Sequence, residues 1–168
     1  DRVKRAALNL EHNSILIVNL GFRRENISPI HWCYFYEDPF CFHRLSFPQN
    51  FSPHTVPEGR SAVSMEIAYS KHRPLDRDTV VSEVVAGLAR AGFIEEGEEI
   101  DVEVLLDIHY AYIIYDHGHR ENVSTIHDYL SEINIVPCGR FGEWEYFNMD
   151  HSILSGKRAA GRLKSSDG

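Results

Sequence analysis

The hydrophobic period of this chain changes after about residue 70, and that change limits the fold more than any other feature. Before about residue 70, apolar residues alternate or run continuously, as strands require. From Val80 onward they recur every three or four positions, as helices require, with one long extended stretch between. Ser14 to Leu20, Ser-Ile-Leu-Ile-Val-Asn-Leu, is β-branched and apolar and reads as a buried strand. Residues 31–36 read as a second strand. Phe42 to Phe47 read as a third, with Phe42, Arg44 and Ser46 on one face and His43, Leu45 and Phe47 on the other. Pro48, Pro53, Pro57 and Gly59 mark a long turn region. Ser61 to Tyr69 predict a fourth strand, in which Val63, Met65 and Ile67 alternate with Ala62, Ser64 and Glu66.

Val80, Val81, Val84, Val85 and Leu88 then trace a helix face, with Asp78 as its expected N-cap and Gly92 as its stop. Val102 to Asp116 is extended and rich in Val, Ile and Tyr. Val123, Ile126, Leu130 and Ile133 form the stripe of a second helix. Ile135 to Gly139 reads as a short buried strand, and a last helix begins near Asn148, carrying Ile153, Leu154, Ala159, Ala160 and Leu163. The pattern predicts an α+β fold with a largely antiparallel sheet.

Charge and cysteine narrow the function classes. The net charge is −8, and Glu95, Glu96, Glu98, Glu99, Asp101 and Glu103 supply much of it. That run reads as a solvated acidic loop entering a strand. No basic strip exists to follow a phosphate backbone, which excludes nucleic acid as the main partner. Lys157, Arg158, Arg162 and Lys164 read as cations at a helix C-terminus. No apolar run is long enough to span a bilayer, and no leader is visible, so no integral membrane segment is expected. Cys33, Cys41 and Cys138 form no CxxC pair, which fits a reducing, cytoplasmic setting. The ten histidines come without HExxH spacing or paired cysteines, so no metal is expected.

Three clusters stand out as chemistry. Residues 31–51 hold Trp32, Tyr34, Phe35, Tyr36, Phe40, Phe42, Phe47 and Phe51, with Arg44 among them. A guanidinium there needs an anion, a carbonyl or a π face. Tyr110 and Tyr112 share one face of the later extended stretch, where they serve either a core or a substrate cleft. From Gly139 to Ser152, a glycine-marked turn leads into a polar helix start, whose backbone N–H groups can meet an anion or a polarised carbonyl.

The stretch GRFGEWEYFNMDHSILSGKRAA, residues 139–160, resembles the C-terminal flavin-binding signature of the FAD-dependent amine oxidase superfamily. That superfamily includes protoporphyrinogen-oxidase-like proteins and the UDP-galactopyranose mutases. HWCYFYEDPFCFHRLSFPQNFSP (31–53) and YAYIIYD (110–116) resemble substrate-domain strands of the same proteins, in the same order. The resemblance implies that Gly139, Arg140, Asn148, Met149, Asp150 and Ser152 line bound FAD. The resemblance to the mutases implies in addition that Trp32, Tyr34, Arg44, Tyr112 and Tyr146 contact the substrate, a small molecule or nucleotide sugar. No GxGxxG occurs in the chain, although that loop normally holds the FAD pyrophosphate. The chain is therefore expected to be the C-terminal part of a longer enzyme, whose N-terminal, pyrophosphate-binding part would be its partner in the same polypeptide. Residues 1–134 would belong to the substrate domain. Residues 135–163 would form the last strand and helix of a Rossmann-like FAD domain, and 164–168 a tail. The wording of YAYIIYD and GEWEYFNMD points first to an FAD-dependent oxidoreductase that takes hydride from an organic substrate. A mutase-like flavoenzyme is the second reading, and a non-catalytic module without flavin is the third.

Overall fold

A computed structural model describes residues 1–166, with side chains described through residue 163. The chain forms an α+β structure. In order it contains α1 (Arg2–Leu8), β1 (His12–Phe22), β2 (Trp32–Tyr34), β3 (Arg44–Ser46), α2 (Pro48–Phe51), a 3-10 turn (Pro53–Thr55), β4 (Ser61–Tyr69), α3 (Val80–Arg90), β5 (Val102–Ile113), α4 (His119–Glu132), α5 (Gly139–Gly142) and α6 (Met149–Ser166). The expected tail at 164–168 lies outside the residues whose side chains are described. Two compact units result, one of Ser14–Ala111 and one of Asp1–Asn13 with Tyr112–Gly168.

The Ser14–Ala111 unit is built on a five-stranded antiparallel sheet of order β2-β3-β4-β1-β5. Strand alternation sorts its residues onto two faces. Leu16, Val18 and Leu20 of β1 pair with Ile67, Met65 and Val63 of β4, and all six are buried. Leu45 of β3 continues that face, which α3 covers with Val80, Val84 and Leu88. Phe22, Phe42 and Phe47 complete the core. At Gly87 the helix comes so close to Phe42 that an added Cβ would lie 2.8 Å from its Cε1. The expected cap at Asp78 is not the one formed: Thr79 takes the N-cap position, without a side-chain cap bond. The helix closes at Gly92, whose N–H donates to Ala89 while that of Phe93 donates to Leu88.

The acidic run is more structured than a solvated loop. Glu98 accepts from Arg24 Nε at 2.5 Å, and Asp101 accepts from Arg23 Nε at 2.7 Å and also pairs with Arg60. These guanidinium partners hold both carboxyls below their ordinary pKa values.

In the other unit, α1 and α4 pack together, with Ala6 buried and Arg2 Nη2 donating to Thr125 Oγ1 at 3.3 Å. In α6 the inward residues are small: Ser155 and Ala159 are buried, whereas Ile153, Leu154 and Leu163 are exposed. Polar anchoring sets this orientation, because Ser155 Oγ accepts from Gly139 N at 2.7 Å and donates to Glu143. The segment read as a strand over 135–139 has extended backbone at Cys138 (φ −153°, ψ 161°). A strand also needs a hydrogen-bonded neighbour, and among the described residues this segment has no strand ladder.

Candidate functional site

On the sheet face opposite the core, cross-strand pairing aligns Trp32 with Ser46 and Ser46 with Ser64. One step along, it aligns Tyr34 with Arg44 and Arg44 with Glu66. The serines of the first row leave space, and Trp32 at its end walls it together with Tyr34 and Arg44 of the second. The result is a cavity of about 290 Å³ lined by Trp32, Tyr34, Arg44, Ser46 and Phe51. Phe51 arrives from α2, and its ring lies parallel to the Trp32 indole, 5° from coplanar at a centroid distance of 5.7 Å. The three expected substrate residues of this unit, Trp32, Tyr34 and Arg44, therefore share one cavity.

Arg44 also has its anion inside the protein. Its Nη2 pairs with Glu66 Oε1, on a carboxylate whose side chain is only 11% exposed. His43 Nε2 stands 3.7 Å from the other carboxylate oxygen. Burial pushes the His43 pKa below its ordinary value, and the Glu66 charge only partly opposes this. Glu66 is the residue that sequence reasoning left unassigned. Its signal was a lone carboxylate on the small-residue face of β4, whose register against Arg44 one sequence cannot supply.

The second group lies in the other unit. Tyr112 and Tyr146 are near-parallel, 18° apart with centroids separated by 6.0 Å. The Arg140 guanidinium carbon sits 4.5 Å from the Tyr146 centroid and 5.5 Å from that of Tyr112. Its Nη1 donates to the Phe147 carbonyl at 3.1 Å. Arg140, expected at the flavin, thus stands on the tyrosines expected at the substrate. Gly139 opens α5 at φ +76°, a conformation that favours glycine, and nothing lies within 4 Å of where a Cβ would be. Asn148, Met149 and Asp150 stand exposed at the start of α6, and Ser152 is half-buried on its first turn. The Ser152 N–H closes the first turn on the Asn148 carbonyl at 3.0 Å, and the N–H groups of Met149, Asp150 and His151 precede any carbonyl the helix can offer them.

A second cavity, of about 320 Å³, lies near Gly21, Pro57, Arg60 and Val102 and holds none of the expected site residues. Among the described residues, no cluster of three His, Cys, Asp or Glu side chains could hold a metal. No helix among them is long and apolar enough to cross a membrane.

No family profile matches the sequence, and no curated protein matches it. Solved structures do. A reduced UDP-galactopyranose mutase superposes with a TM-score of 0.90 over 96% of this chain, at 23% identity. The fold is that of part of a mutase. A protoporphyrinogen-oxidase-like protein from Exiguobacterium sp. 255-15 superposes with a TM-score of 0.60 over 74% of this chain, at 11% identity. Proteins of both names are among those that the sequence resembles. The chain spans 35% of the length of the mutase and 28% of the second structure.

Proposed function

We propose that this chain is the substrate-facing sheet and flavin-facing C-terminal helix of a mutase-like flavoenzyme that acts on a UDP-sugar. The observation that carries this reading is the shared cavity of Trp32, Tyr34 and Arg44. Its walls combine aromatic faces, which suit a sugar or base ring, with a guanidinium suited to a diphosphate oxygen. The closer superposition on the mutase supports this order of preference over the hydride-transfer reading.

FAD fits the residues at the start of α6. The empty space beside Gly139 and the exposed residues Asn148, Met149 and Asp150 leave the helix start open to a flat ligand. Gly139, Asn148, Met149, Asp150 and Ser152 would hold the flavin, with the positive end of the α6 dipole toward its carbonyl groups. When bound and reduced, FAD would supply the nucleophile for the sugar carbon. In the sheet unit, Arg44, aligned by Glu66, would hold a diphosphate oxygen. In the other unit, the stacked Tyr112 and Tyr146 present hydroxyls of the kind that bind phosphate oxygens. Trp32 and Phe51 would flank the ring and exclude water. The oxidoreductase reading stands second, supported by the protoporphyrinogen-oxidase-like neighbour.

Arg44→Lys tests the proposal. It keeps a cation beside Glu66 but loses the planar fork. UDP affinity should fall about tenfold, measured by calorimetry on the flavin-loaded protein. Unchanged affinity would remove Arg44 from the site.

A further inference from the structure

We infer that Tyr115 is a positioning residue that sets the Tyr146 ring for the diphosphate. The inference rests on the function proposed above. Tyr115 follows the end of β5, three residues after Tyr112. Its hydroxyl accepts from the Tyr146 backbone N–H at 2.6 Å and donates to Glu145 Oε2 at 2.7 Å. One hydroxyl thus grips consecutive residues, one by its main chain and the other by its side chain. Burial raises the Tyr115 pKa, so the phenol stays protonated and keeps its donor at neutral pH.

The gripped segment needs holding. Trp144, immediately before it, has φ +52°, the left-handed region that a bulky residue seldom adopts. His119, which is buried, lies with Nε2 2.9 Å from the Trp144 carbonyl oxygen, and its ring packs on Tyr115 at 4.6 Å. Tyr115 and His119 therefore clamp residues 144–146 from one side. On the other side, the Tyr146 ring meets Tyr112 and Arg140. With the 146 amide pinned, the Tyr146 ring is confined to the position that stacks on Tyr112. A loose turn would let it swing away.

Tyr115→Phe removes both hydrogen bonds and keeps the ring packed on His119. Losing them should weaken UDP binding three- to tenfold and raise KM, with kcat at saturation changed less than twofold. Because Tyr115 acts through Tyr146, the Tyr115→Phe/Tyr146→Ala pair should bind UDP no worse than Tyr146→Ala alone. Additive losses would overturn the inference. Amide exchange at Tyr146 gives a readout that needs no ligand. In Tyr115→Phe that amide should exchange at least tenfold faster, and unchanged exchange would also overturn it. If the unaltered protein binds no UDP, the function reading fails. The clamp itself is then decided by the exchange result.

Discussion

Arg44 and Glu66 are direct cross-strand partners on β3 and β4, and their side chains form an ion pair on the sheet face that carries Trp32 and Tyr34. The carboxylate is nearly buried, so the pair orients the guanidinium and Glu66 depends on it in turn. Glu66→Gln should cost about 1–3 kcal/mol of stability, measured by urea unfolding. It should also shift the His43 titration further down, because the Glu66 charge is the main influence raising it. A His43 titration that does not move in NMR would contradict this geometry.

Gly87→Ala places a methyl against Phe42, which is 1% exposed and cannot retreat freely. Overpacking of this kind should destabilise the chain by about 1–3 kcal/mol. Phe42→Leu should recover part of the loss in the double variant, as followed by thermal melting. A neutral Gly87→Ala would mean that α3 stands further from the sheet.

Much of this unit was legible in the sequence. The bounds of β4 match those that its sequence predicts, because Val63, Met65 and Ile67 recur at every second position and all three are core. β2 and β3 are shorter than the runs of aromatic and apolar residues that suggested them, because their ladder spans only three residues each. The turn region hid α2 and a 3-10 turn, although Pro48 and Pro53 stand at helix-starting positions, where proline belongs. In the other unit, α1 buries only Ala6 and carries no apolar stripe, so the sequence does not signal it. The Arg44–Glu66 and Tyr115–Tyr146 contacts follow from register and from a left-handed turn at Trp144. Residue spacing alone encodes neither.

Glu98, Asp101 and Asp107 all have carboxyls held below their ordinary pKa by arginine or tyrosine partners. A depressed carboxyl stabilises the fold fully above its unfolded pKa, and that contribution is lost as pH falls through the lower folded value. Stability should therefore decline as pH drops below about 4. Glu98→Gln should lower stability at pH 7 and make the acid decline shallower, as read from urea midpoints across pH. A decline of unchanged steepness would mean that the Arg24 pairing contributes nothing to stability.

Arg140→Met keeps the length of the side chain and removes the cation from the faces of Tyr146 and Tyr112. The expected cost is about 1 kcal/mol, accompanied by changed near-ultraviolet circular dichroism from the loosened tyrosine pair. An unaltered spectrum would show that the pair stacks without Arg140.

The central proposal is a mutase-like site on the sheet face around Arg44. Its most direct test is conversion of UDP-galactopyranose by the flavin-loaded protein, before and after reduction of the flavin with dithionite. The account predicts ring-contracted UDP-sugar only after reduction, and a large loss of that product in Arg44→Lys. No conversion by the reduced protein, with bleaching of the oxidised flavin by an organic substrate in the absence of oxygen, would contradict it and put hydride transfer in its place.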